Sequence, residues 1–259
     1  MESKFVAIVL LFILIISSIF IFSSAAAAQE FNLPEFSFEI SNTDNQDAEG
    51  EDLVLSLRIL LLLTVLSLAP AIIVLFTSFT RIIIVFSILK RALSLNNMPP
   101  NQVLIGIAIF LTIFIMAPVL QVVNQDALQP YLEEQISIET AYENTITPVR
   151  EFMFNQVDEP SLSLFAELAE IERPESRQDL PTYVLIPAFL IHEVKIAFQI
   201  GFLLYIPFLM IDMIVASILM SMGMMMLPPV IISLPFKILL FVLADGWHLL
   251  IGSLVETFN

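Results

Sequence analysis

Cysteine is missing from this 259-residue chain, which removes disulfides, thiolate chemistry and cysteine-based metal centres. Cations are scarce. Ten Lys and Arg stand against twenty-six Asp and Glu, a formal net charge of −16. Binding to nucleic acid is thereby excluded, because neutralising phosphates takes a surplus of Lys and Arg. Histidine occurs only as His192 and His248, too few for a three-histidine zinc site within one copy. The stretch "HEVKI" opens as a zinc-protease helix does, but Ile196 stands where the second histidine belongs. The six glycines form no phosphate-cradling loop, and no serine sits in a nucleophile elbow. The chain reads as neither an enzyme nor the holder of a metal or cofactor.

What is present is apolar. Hydrophobic residues make up 58% of the chain and charged ones 14%, with a mean hydropathy of +0.91. That composition belongs to an integral membrane protein. The acids are segregated: eight crowd residues 30–52, and thirteen fall between Asp126 and Asp179.

The N-terminus, "MESKFVAIVLLFILIISSIFIFSSAAAAQEF", has Lys4, an apolar run from Phe5 to Phe22, and small residues at Ala26 and Ala28. It reads as a signal peptide, residues 1–28, cleaved before Gln29. An uncleaved anchor is the alternative, given the length of the run. Residues 29–52 are acidic and polar without helical periodicity, and read as a solvated linker.

Two long apolar blocks follow. The first, residues 53–123, is interrupted by "KRALSLNNMPPNQ", where Asn96, Asn97, Pro99 and Pro100 stop a helix. The second, residues 183–259, is interrupted by "MSMGMMMLPP", where Gly223, Pro228 and Pro229 do the same. The fold class expected is all-α: two long helical hairpins, four main helices, in a membrane-integral oligomeric subunit. Between them, residues 124–182 form an acidic insert. Spacings such as Ile146, Val149, Phe152 and Met153 predict a small helical domain there, while "RPESRQD" is equally compatible with disorder. Arg81, Lys90 and Arg91 near the first tip, against the acidic insert, put both tips on the cytoplasmic side and the insert outside.

The helices are too long and too polar for a plain bilayer bundle. Tyr183 to Met220 as one helix spans roughly 55 Å, against a hydrocarbon core about 30 Å thick. Pro70, Pro187 and Pro207 are candidate bends. Glu193, Asp212, Lys237 and Asp245 interrupt apolar runs, and ionisable groups so placed face a bundle interior, a partner or a water path. A Glu193–Lys237 pair between helices or subunits would neutralise both. Lys237 and Asp245, eight residues apart, are expected on one face of the fourth helix.

The stretches "PAFLIHEVKIAFQIGF" and "PFKILLFVLADGW" resemble signature segments of the FliP family of type III secretion export-gate proteins. "FTSFTRIIIVFSILKRALSLNNMPPNQVLIGIAIFLTIFIMAPV" is similar to the family's first hairpin. The signal peptide and acidic segment favour the flagellar branch of the family over the virulence branch. The resemblance implies a subunit of the narrow passage through which unfolded flagellar proteins cross the bacterial inner membrane at the basal body. It implies assembly with further copies of itself and with FliQ and FliR, and association with FlhB and FlhA. It makes Met224, Met225 and Met226 a pore gasket, with Gly223, Pro228 and Pro229 shaping the loop and Glu193 and Lys237 pairing charges in assembly.

Physical chemistry supports a methionine seal. Methionine is unbranched and polarizable, so a ring of it can close against water yet deform around a passing chain. The rival reading is that methionine is merely apolar filler at a hairpin tip. A second rival is a secondary transporter or ion channel with Glu193, Asp212 and Asp245 as an ion relay, although no inverted repeat is evident.

Overall fold

The computed structural model describes residues 48–95, 98–171, 176–224 and 226–258, with side chains from Ile59 onward except at residues 65 and 177. The expected signal peptide, nearly all of the acidic linker, Asn96, Asn97 and Met225 lie outside the described residues. The chain divides into two units, Met1–Arg58 and Ile59–Asn259, and the second is the one described below.

Among the described residues every regular element is helical. The main helices are α1 (Ala48–Phe76), α2 (Phe79–Ala92), α3 (Asn101–Val123), α4 (Ile138–Gln156), α5 (Glu159–Leu168), α6 (Thr182–Ser221), α7 (Pro229–Leu243) and α8 (Gly246–Glu256). Among the described residues three stretches are long and apolar enough to cross a membrane: Ile59–Phe76, Asn101–Leu132 and Thr182–Ser221. The pair α7 and α8, bent by 64°, makes a fourth if it counts as one span.

The hairpin scheme needs three corrections. First, the expected single arm from Leu53 to Leu95 breaks at Thr77–Ser78 into α1 and α2. No Pro or Gly marks this break. Hydroxyls make it: Thr77 Oγ1 donates to Ile73 O, and Thr80 Oγ1 donates to Val74 O at 2.8 Å. Such side-chain bonds compete with the helical ladder for its carbonyls. Second, the helical path does not end with α3 at Val123. It passes through a π turn, Asn124–Leu128, into a further helical turn, Gln129–Leu132. Third, the fourth arm breaks at Asp245, whose φ of 49° lies in the left-handed region. Lys237 and Asp245 therefore share no continuous helix, and the common face expected of them does not exist.

The other boundaries follow from local chemistry. Helix α2 closes with Ser94 at φ 59°, where Ser94 N donates to Arg91 O and Leu95 N to Lys90 O. That is the Schellman pattern, normally a glycine's place. Ser137 and Asp158 cap α4 and α5, accepting from Thr140 N and Ser161 N. Helix α6 runs forty residues, with Pro187 and Pro207 inside it. At 1.5 Å per residue it is roughly 60 Å long, about twice the hydrocarbon thickness.

Two cores hold the helices. In the first, Ile82, Val85, Phe86 and Leu89 form one stripe of α2. They pack on Leu104 and Ala108 of α3, Ala197 and Phe208 of α6, and Leu250 and Leu254 of α8. Gly201 allows α6 its approach to α2, since a Cβ there would stand 2.3 Å from Ile88 Cδ1. The second core docks the insert on the start of α6, through Met153, Phe154 and Leu162 against Leu185, Ala188 and Phe189. The remaining surface of α6 and α7 is apolar and exposed, including Phe198, Phe202, Met213, Phe236 and Leu239. Apolar faces on that scale call for lipid or other protein.

Candidate functional site

The loop between α6 and α7 is built by a second Schellman turn. Gly223 N donates to Met220 O at 3.0 Å and Met224 N donates to Leu219 O at 2.9 Å. The turn requires φ of +74° at Gly223, which glycine adopts without a steric penalty. Pro228 then caps α7, and Pro229 occupies its first turn, where a missing N–H would be unpaired anyway. The chain reverses over a handful of residues and leaves its methionines outward. Met226 is 98% exposed and Met224 37%, with Met220 and Met222 also exposed. Met225 lies outside the described residues.

Behind the loop, the arms are joined by charge. Lys237 is 1% exposed, and its Nζ donates to Asp212 Oδ2 at 2.7 Å, Ser94 Oγ at 2.9 Å and Ala92 O at 3.1 Å. All three ammonium protons are used. Ser233, one helical turn before Lys237, donates to the other oxygen of Asp212. This one cation closes the α6–α7 pair and also binds a carbonyl at the end of α2.

Glu193 meets a different cation. Arg81 Nε donates to Glu193 Oε2 at 3.0 Å, and Arg81 Nη2 donates to Glu193 Oε1. Nη1 donates to Thr257 O at 2.9 Å and Thr257 Oγ1 at 3.0 Å, and Nη2 also to Gln156 Oε1 at 3.1 Å. All five guanidinium protons have acceptors, the condition for burying Arg without a large penalty. Gln156 Nε2 in turn donates to Phe258 O at 3.2 Å, and the guanidinium lies 3.8 Å from the centre of the Phe258 ring. The hub joins α2, α4, α6 and the segment after α8.

Glu193 and Lys237 thus do not pair with each other within the chain; each has its own partner. Arg81, expected near the first tip as an orienting charge, is 2% exposed and buried in the hub. The sequence reading missed Arg81, Gln156 and Thr257 as a group, and Ser233 as a ligand of Asp212. A lone cation well inside an apolar run was the signal available for Arg81.

A third cluster lies where the insert meets α6. Lys195 Nζ donates to Asp158 Oδ2 at 2.7 Å. His192 Nδ1 stands 3.1 Å from Asp158 Oδ1, at ion-pair distance. The Lys195 hydrogen bond, with those from Ser161, holds the Asp158 carboxyl far below the usual carboxylate range. Asp245 and His248, by contrast, are exposed. Among the described residues no three His, Asp or Glu come together as a metal site.

Residues 62–254 match the model of the FliP family. The chain is 54% identical over 211 residues to the flagellar biosynthetic protein FliP of Bacillus subtilis (strain 168), covering 82% of this chain and 96% of the relative. It is 54% identical over 209 residues to that of Pectobacterium carotovorum subsp. carotovorum, covering 81% of each. With that of Treponema pallidum (strain Nichols) it shares 50% identity over 228 residues, 87% of this chain and 83% of the relative. The family match takes in the methionine loop and both pairs, Arg81–Glu193 and Asp212–Lys237, and the chain belongs to the FliP family of flagellar export-gate proteins.

Proposed function

We propose that this chain is a core subunit of the flagellar type III export gate in the bacterial inner membrane at the basal body. Several copies, with FliQ and FliR and in association with FlhB and FlhA, enclose a narrow conduit for unfolded flagellar proteins. The loop of Met224, Met225 and Met226 lines its constriction. The function is mechanical rather than catalytic: the loop seals and yields.

The observation that carries this reading is the loop itself. A glycine turn and a Pro-Pro start hold a methionine-rich reversal outward, on two helices whose other exposed faces are apolar enough to be covered by neighbours. Flexible thioethers there can close on one another across a pore axis and still adapt to any passing side chain. Replacing Met224, Met225 and Met226 together by Ala tests it in cells carrying the assembled complex. Assembly is expected to persist while ion leak rises; an unchanged seal would overturn the gasket.

The ion-relay reading has less support. Arg81 and Lys237 already neutralise Glu193 and Asp212, so two of its three carboxylates have fixed partners.

A further inference from the structure

The first apolar block has a property of charge that the gate does not use. Between Asp52 and Asp126 the sequence carries Arg58, Arg81, Lys90 and Arg91 and neither Asp nor Glu. Arg81 is matched by Glu193. Lys90 and Arg91 are in none of the ion pairs among the described residues. Two adjacent unmatched cations are unusual in a chain of net charge −16.

Both stand in the last turn of α2, and both line a cavity of about 430 Å³ with Ser87, Ser94, Asn101 and Leu104. Lys90 Nζ donates to Pro99 O at 3.0 Å and Asn101 Oδ1 at 2.9 Å. Those acceptors are neutral, so the ammonium is positioned without being neutralised, and one proton remains. Arg91 is exposed. Complementing the negative end of α2 is the ordinary use of such cations. Here that end is already served: Ser94 N and Leu95 N take the carbonyls of Arg91 and Lys90, and Lys237 takes that of Ala92. The opposite wall is the start of α3, the positive end of a 23-residue helix.

The cavity offers an anion two cationic side chains and one unused ammonium proton. From its rim, Val103, Phe110 and Phe114 run down one exposed face of α3, seven and then four residues apart. We propose that the cavity binds the phosphate of an anionic membrane phospholipid, with the acyl chains lying along the Val103–Phe110–Phe114 stripe. Free phosphate shares the headgroup chemistry but makes no use of the stripe. The site is separate from the methionine loop, and the proposal stands or falls independently of the gate.

The test uses the full-length chain purified in an uncharged detergent, with retained lipid measured by native mass spectrometry. Phosphatidylglycerol should be held about thirtyfold better than phosphatidylcholine of the same chain length, as expected for two cations at a lipid surface. Lys90→Gln with Arg91→Gln should erase that preference, while Lys90→Arg with Arg91→Lys should keep it. Millimolar inorganic phosphate should not displace phosphatidylglycerol. Equal retention of the two lipids by the wild type, or a preference that survives in the double Gln variant, overturns the site. Displacement by inorganic phosphate overturns the lipid assignment in favour of a free-anion site. If the double Gln variant does not fold, Arg91→Gln alone decides, because its exposed side chain makes no hydrogen bond or ion pair among the described residues. A loss of about fivefold is then expected, and no loss overturns the proposal.

Discussion

Asp212 and Lys237 meet at 2.7 Å at matched heights behind the methionine loop. Asp212 lies ten residues before Met222 and Lys237 nine after Pro228, roughly 14 Å along either helix. The pair therefore sets the register in which α6 and α7 present their loop. Lys237→Met should destabilise the purified protein by about 3 kcal/mol, because it leaves Asp212 and the Ala92 carbonyl short of a donor. Adding Asp212→Leu should recover more than half of the loss in thermal unfolding in detergent. A double variant no more stable than Lys237→Met would refute the pairing as the source of the effect.

Arg81 makes a sharper case, since its geometry is used as well as its charge. A lysine cannot supply five donors in a fork. Arg81→Lys should cost about 2–3 kcal/mol although the charge is kept. The distinctive readout is local: Arg81 and Gln156 hold the carbonyls of Thr257 and Phe258. Amide hydrogen exchange over residues 250–258 should accelerate well beyond that of α3. Uniform acceleration throughout would mean general loosening instead.

These two networks mark where the sequence stopped being informative. The reversals at Pro99–Pro100 and at Gly223 with Pro228–Pro229 were legible, because proline and glycine act locally whatever surrounds them. The break at Thr77–Ser78 was not, because hydroxyl bonds to Ile73 O and Val74 O leave no pattern that separates them from threonine on a helix face. At Asp245 the Asp-Gly pair is a turn signal set inside a long apolar run, and it breaks the expected fourth arm. That Glu193 and Lys237 needed partners could be read from their apolar surroundings. Which partners they take depends on how α2 packs against α6, and no local spacing encodes that.

The Asp158 clip should respond to acid. Its carboxyl ionises in the folded protein far below its ordinary 3.8, so the unfolded chain binds the proton first and stability rises with pH between the two values. The contribution is complete above the ordinary value and is lost progressively as pH falls beneath it. Hydrogen exchange in α5 should therefore rise between pH 6 and pH 3 relative to α3, and less steeply at high salt, because Lys195 is half exposed and screening weakens its hold on Asp158. Asp158→Asn keeps an acceptor for the α5 cap and should flatten the response. A slope that persists in this variant would assign it to another group.

Gly201 should tolerate a methyl group only if Ile88 gives way. The new Cβ would meet Ile88 Cδ1 at 2.3 Å and Cγ2 at 2.9 Å, so Gly201→Ala is expected to destabilise by about 1–3 kcal/mol. Ile88→Ala in the same molecule should return part of that loss. If the double variant is simply the sum of two losses, the crowding is not at Ile88.

Gly223 differs because nothing lies within 4 Å of a Cβ built there. Only the backbone resists substitution, at φ +74°. Gly223→Ala should therefore cost about 1 kcal/mol, and Gly223→Asn less, since Asn enters the left-handed region more readily. The loop depends on that conformation to turn Met224 and Met226 outward. In cells carrying the assembled complex, ion leak should then follow the order Ala above Asn above wild type, with complex yield unchanged. Equal leak from the Ala and Asn variants would separate the seal from the turn that presents it, and would place the sealing contact on methionines outside this reversal.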